Sequence, residues 1–186
     1  MTSNLQSVAT RPRRVVVAFP HIVDQAEWTQ VLTVRDRYDP LAASVRPHLT
    51  LVFPFEDPIS DRDLEAHLQP LASQAPAFDV TFAGITAHEN EYLFLNVKRG
   101  NDAVIHLHDI LYSGALAGHL VRSHTFVPHI TVGRVSSREL AAALDTTSAL
   151  TSPIAAQVNS ISAYRIEQNG SRTDLFELPL GARKTR

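Results

Sequence analysis

Pro47–Leu51 reads PHLTL, and Pro128–Val132, 81 residues further on, reads PHITV. Each is a proline, a histidine, an aliphatic, a threonine and a second aliphatic. In an extended strand successive side chains point to opposite faces. His48 and Thr50 therefore share one face, with Leu49 and Leu51 behind them; His129 and Thr131 stand in the same way against Ile130 and Val132. Among nine histidines, roughly one H-x-[ST] tripeptide arises by chance. Two copies that also share the preceding proline and the aliphatic neighbours, one in each half of the chain, are a far stronger signal.

The flanking sequence supplies the elements around them. RRVVVAFP (13–20) is a buried strand by its β-branched run, closed by Pro20. Asp24 heads a helix running to about Arg37, with Trp28, Val31, Leu32 and Arg35 on one stripe. The loop DPLAASVRP leads into the first motif strand, HLTLVFPF, stopped by Pro54 and Pro58. Ser60 opens a helix with Leu64, Leu68 and Leu71 on its apolar side, and the strands FDVTFAGITA and YLFLNV follow, joined by the turn HENE. A helix from about Asp102 to Leu116 carries Val104, Leu107 and Leu111 on one face. The loop GHLVRSHTFVP then enters the second motif strand, HITVGR. Ser136 and Glu139 have capping-box spacing at the head of SSRELAAALD, and QVNSISAYRI pairs with DLFELPL around the turn EQNGS.

This order repeats. His48 to Phe94 is 46 residues and His129 to Phe176 is 47. Each interval reads strand, capped helix, strand, turn, strand, and GITA in one matches SISA in the other. The class is α+β with an internal duplication; the period is too long and the copies too few for a solenoid. If the halves are related by a pseudo-twofold axis, the two polar strand faces meet across one cleft.

Composition limits the partners. An apolar fraction of 44% and a charged fraction of 19% are those of an ordinary globular protein. No apolar run approaches the ~18 residues of a membrane span. The start, MTSNLQSVATRPRR, has no apolar stretch, so no secretory signal is expected; 1–12 is expected as a disordered tail and 181–186 as a C-terminal tail. The chain has no cysteine, which removes disulfides, thiolate nucleophiles and cysteine zinc sites, and a cytoplasmic location is expected. A net charge of −2 and a pI near 6.5 argue against non-specific gripping of long nucleic acid. RPRR and GARKTR are the local basic clusters, both in the expected tails. A nucleotide or one RNA end remains compatible, and a monomer is expected.

Two opposed imidazoles suit proton transfer at a phosphate, because a free pKa of about 6.5 lets one be neutral while the other is protonated. The neutral ring takes a proton from the attacking oxygen and the protonated ring gives one to the leaving oxygen. Threonine hydroxyls on the same face can donate to non-bridging phosphate oxygens. No metal constellation is present in the sequence; SDRDLE reads as a capped helix start.

On these residues the chain resembles the 2H phosphoesterase superfamily, the 2'-5' RNA ligase-like group with two H-x-[ST]-x motifs, over about 13–180. The resemblance implies one bilobal domain over 13–180, with antiparallel sheets lining a central cleft and helices outside. It also implies metal- and ATP-independent hydrolysis of a 2',3'-cyclic phosphate to a 2'-phosphate, with no cofactor. His48 and His129 become the acid–base pair, and Thr50 and Thr131 the phosphate contacts. Which histidine starts as base is left open. Relatives commonly carry an arginine where this chain has Arg134, which implies a further phosphate contact. Strict alternation puts Arg134 on the face opposite His129, so reaching the cleft requires a bulge, for which Gly133 is suited, or the strand's end; the first motif has Phe53 in that place.

Phe19, Phe126, Tyr164 and Tyr92 are candidates for stacking a base, against an ordinary core role. His108 reads as a structural histidine, His119 and His124 as surface-loop residues near the second motif, and His88 as solvated. Two alternatives use the same segments: 2',5' RNA ligation or 2',5'-oligonucleotide cleavage by the same four side chains, and a module that binds an RNA end or nucleotide without turnover.

Overall fold

A computed structural model describes residues 12–148 and 150–183. Its strands form one nine-stranded sheet in the order β2-β7-β4-β5-β6-β3-β1-β8-β9. These are β1 (Arg13–Ala18), β2 (His21–Ile22), β3 (Leu49–Phe55), β4 (Phe78–His88), β5 (Tyr92–Arg99), β6 (His129–Arg134), β7 (Ile154–Val158), β8 (Ser160–Ile166) and β9 (Arg172–Pro179). The helices are α1 (Gln25–Tyr38), α2 (Asp61–Gln74), α3 (Asn101–Leu111) and α4 (Leu140–Thr147). Every strand pairing is antiparallel. The two motif strands are neighbours at the middle of the sheet and join through a single pairing, Leu49 opposite Ile130.

The halves are interleaved. α1 packs on β6 and α4 on β4, while α2 packs on β9 and α3 on β3. Thus β1–α1–β3–α2–β4 and β5–α3–β6–α4–β8 are equivalent runs, each lending its last strand to the other lobe: β4 pairs with β5, and β8 with β1. This revises the repeat counted from His48 to Phe94 and from His129 to Phe176. β5 opens the second run and lies beside β6, whereas β9 is at the sheet's edge, so those two phenylalanines do not occupy equivalent places.

Most elements lie where the apolar pattern put them, and four differ. QVNSISAYRI is two strands, β7 and β8, which break at Asn159 and run into opposite lobes. The third helix stops at Leu111, and Gly114–His119 forms a separate 3-10 turn. Pro54 lies inside β3, at the register slip between the Val52 and Phe55 pairings with β1, and a bulge tolerates a missing N–H. Asp24 sits at the N-cap position of α1, but its carboxylate accepts from Ala155 N (2.6 Å), fixing α1 to β7. The N-terminal segment expected as a tail lies, except for Pro12, outside the described residues. In the C-terminal one, Gly181 N donates to Ala75 O (2.8 Å) and Arg183 pairs with Asp79 (2.7 Å). No described helix is long and apolar enough to cross a membrane.

Candidate active site

Alternation does what the two motifs require. Leu49, Leu51, Ile130 and Val132 are at most 1% exposed in the helix-side core, while His48, Thr50, His129 and Thr131 are half-buried on the other face. Extending the Leu49–Ile130 register by one residue each way sets His48 across from Thr131 and Thr50 across from His129. All four side chains therefore occupy one patch where the lobes meet.

Each imidazole is oriented by its own chain. His48 Nδ1 lies 2.8 Å from the Arg46 carbonyl, and His129 Nδ1 lies 2.6 Å from the Val127 carbonyl. A carbonyl only accepts, so in both rings Nδ1 carries a proton and Nε2 is left to exchange one. Burial lowers both pKa values. His129 is pushed down to about 4, chiefly by desolvation and then by the nearby His88 and His48, against a raising effect from its Val127 bond. His48 is lowered by desolvation first, with Arg35 and Arg172 adding to it and the Arg46 carbonyl and Asp39 opposing. Arg35 and Asp39 are themselves a buried pair (2.7 Å) beneath the loop that delivers His48.

The walls differ. On the His129 side Phe94 stacks on the imidazole (3.4 Å between centroids, 15° between planes), and His88 stacks on the other face of Phe94 (4.7 Å, 19°). Phe94 was not identified from sequence; His88, read as solvated, is exposed (45%) on its outer side while stacking on Phe94. On the His48 side the ring meets the edges of Phe19 (5.9 Å) and Tyr164 (6.3 Å). Phe19 and Tyr164 thus lie at the site, but Tyr164 is only 4% exposed and forms its floor. Phe126 does not join them. Its ring stacks on His108 (3.7 Å, 5°), over the edge of β3 left open beyond its single pairing with β6, β1 flanking the other edge. There His108 Nδ1 donates to Leu51 O (2.8 Å), and Tyr112 Oη accepts from Phe53 N (2.9 Å), satisfying the open edge. His119 pairs with Asp57 (2.9 Å) against Phe55. His124 is exposed near Ser123.

Arg134 reaches the histidine face through a bulge. The β5–β6 register slips between Leu93–Gly133 and Phe94–Thr131, leaving Val132 as the extra residue. Val132 and Gly133 are consecutively buried, and Arg134 emerges across from Tyr92 with its guanidinium 5.3 Å from that ring. Two hydrogen bonds of 3.2 Å and one of 3.3 Å tie it to Glu91. Among the described residues no group of three His, Asp or Glu could hold a metal ion.

Comparison with known proteins identifies the family and the fold. A family model described as the 2'-5' RNA ligase superfamily matches residues 22–170. A protein of Geobacillus thermodenitrificans (strain NG80-2), named "Putative phosphoesterase", is 34% identical over 103 residues, covering 54% of this chain and 58% of that one. A relative from Geobacillus sp. (strain WCH70), named in the same way, is 36% identical over 105 residues with the same coverage. The chain thus spans somewhat over half the length of the curated relatives it matches. Among solved structures, TT0787 of Thermus thermophilus superposes with a TM-score of 0.64 at 17% identity, over 92% of this chain and all of that one. E. coli LigT complexed with 3'-AMP gives 0.59 at 20% identity, over 91% and 99%. At these identities the structures establish the shared fold.

Proposed function

The chain belongs to the 2'-5' RNA ligase superfamily, and on that premise we propose that it is a phosphodiesterase that opens a 2',3'-cyclic phosphate on a nucleotide or RNA end. The phosphate stays on the 2' oxygen. One observation carries this reading: two imidazoles, each fixed at Nδ1 by a carbonyl two residues back, each across from the other motif's threonine. Crystal structures of E. coli LigT with 3'-AMP, ATP and NADP+ support a nucleotide as the ligand class.

His129, whose pKa is about 4, starts neutral and takes the proton of the attacking water at Nε2. His48 starts protonated and gives its Nε2 proton to O3'. The new P–O bond forms as the P–O3' bond breaks, so one proton enters His129 and one leaves His48; exchange with solvent restores the pair. Thr50 and Thr131 donate to the non-bridging oxygens. Arg134 contributes positive charge at the rim once the substrate competes with Glu91 for it. Both proton transfers are assigned to protein side chains, so no metal or cofactor is given a step, and the protein acts as a cytoplasmic monomer.

Turnover of 2',3'-cyclic nucleotides in EDTA tests this, with 2',5'-linked dinucleotides and ligatable RNA ends alongside. Each of His48→Ala and His129→Ala is expected to lose about 10²–10⁴-fold in kcat. Undiminished turnover in either variant refutes the two-histidine mechanism. Turnover of the 2',5'-linked substrates alone moves the assignment to the alternative chemistry of the same site.

A further inference from the structure

The positive charge near the site is unequally committed. Arg134, on the His129 side, is neutralised by Glu91. On the His48 side Arg46 lies over the Phe19 ring, 4.1 Å from its centroid. Arg172, the first residue of β9, lies with its guanidinium 5.9 Å from the Tyr164 ring. A long bond of 3.4 Å joins its Nη1 to Gly170 O, and its Nε is buried without a partner among the described residues. Among those residues neither guanidinium has a carboxylate within 4.0 Å. Asp174 faces Tyr164 across the β8–β9 pairing outside that distance, and Glu167 is taken by Arg165 and Thr173.

These two arginines border one surface. Phe19, Val45 and Ile166 pack with Val15, Val17 and Tyr164 into a small apolar cluster on the histidine face, separate from the main core. Phe19 and Tyr164 are also the rings that touch His48, and the charge of Arg172 is felt at that imidazole. A buried donor without an acceptor calls for an explanation. Two unneutralised guanidiniums beside a desolvated wall are the arrangement that recognises phosphate through planar, paired N–H donors. On the opposite wall Phe94 is covered on both faces, and the exposed ring of His88 is the aromatic surface left for a base.

We propose that Arg172 and Arg46 form a second phosphate subsite on the His48 side, so that the favoured ligand is a nucleotide with a further phosphate besides the reacting one. The inference rests on the assignment of the reacting phosphate to His48 and His129. The second phosphate lies along the Phe19–Tyr164 wall and accepts from terminal guanidinium N–H groups of Arg172 and Arg46.

Binding tests it without requiring turnover. Calorimetry with adenosine 2'-monophosphate and adenosine 2',5'-bisphosphate gives an affinity ratio for the wild type, Arg172→Gln, Arg46→Gln and the double variant. The wild-type ratio is expected to favour the bisphosphate by about ten- to a hundredfold, the worth of one or two charge-assisted bonds. The ratio should fall in each single variant and approach one in the double variant. Arg46 is on an exposed loop, so its variant remains informative if the β9 substitution disturbs folding. A wild-type ratio near one, or a preference that survives the double substitution, overturns the subsite. An intact ratio in a protein that turns over no cyclic phosphate instead refutes the catalytic assignment and leaves the subsite standing.

Discussion

At the residue scale, the chemistry turns on two imidazoles whose pKa values burial lowers. His129 must be unprotonated to act as base, and it is so above about pH 4. His48 must be protonated to act as acid, and its pKa lies below the ordinary 6.5. The profile of kcat/KM, which reports the free protein, is therefore expected to peak on the acid side of 6.5 and to fall as pH rises through the lowered His48 value. A bound phosphate favours the protonated ring, so the alkaline limb of kcat should lie higher than that of kcat/KM. Coincident alkaline limbs would contradict this. Phe94 supplies much of the desolvation, being stacked at 3.4 Å on His129. In Phe94→Leu water reaches the ring, the His129 pKa moves from about 4 towards its free value, and the acid limb of kcat/KM shifts up in pH. An unmoved acid limb would remove Phe94 from this role. His48, Thr50, His129 and Thr131 were legible in the sequence because their arrangement is local: alternation along five residues decides which side chains share a face. Phe94 was not, because an aromatic in YLFLNV reads alike whether it faces core or cleft, and only the β5–β6 pairing brings it to His129.

At the scale of elements, the motif strands share a device beyond their sequence. β3 slips against β1 after Thr50, where Val17 pairs with Thr50 but Val16 with Val52, just as β6 slips against β5 after Thr131. In each strand the residue after the threonine is extra, two buried residues follow in succession, and the next side chain returns to the histidine face. Phe53 and Arg134 occupy that returning position, so the bulges place the residues in which the lobes differ. Gly133 makes the second bulge possible under α1: a Cβ there would lie 2.8 Å from Tyr38 Cβ and 2.9 Å from Leu93 Cδ1. Gly133→Ala is expected to cost about 1–3 kcal/mol, the usual penalty of overpacking, and to raise KM by turning Arg134. Urea unfolding and steady-state kinetics check the two effects, and wild-type stability would show that α1 yields without cost. The bulge was foreseen from Gly133, but the break between β7 and β8 was not. QVNSISAYRI alternates without a proline or glycine, and Asn159 marks a change of sheet partner that local pattern does not record.

At the scale of the molecule, the pseudo-twofold arrangement is one of exchange. β4 leaves the first half to pair with β5 and β7, β8 leaves the second to pair with β1, and α1 and α3 each cover the other half's motif strand. A residue pair at the site is thus supported from both halves at once: β6 is flanked by β5 and backed by α1, and β3 is flanked by β1 and backed by α3. The main core follows, one buried cluster that draws Val16 and Leu51 together with Leu95 and Ile130. Neither half retains a complete sheet or its own helix layer when the other is absent, and a small domain with one contiguous core unfolds as a unit. Trp28, the one tryptophan, reports on this directly, because it belongs to a first-half helix packed on a second-half strand. Its fluorescence and the far-UV circular dichroism are expected to trace one coincident transition in urea, with a segment of residues 12–90 alone showing neither transition. Separated midpoints, or cooperative unfolding of the isolated segment, would mean that each lobe is held by its own half and that the exchanged strands are not needed to bring His48 and His129 together.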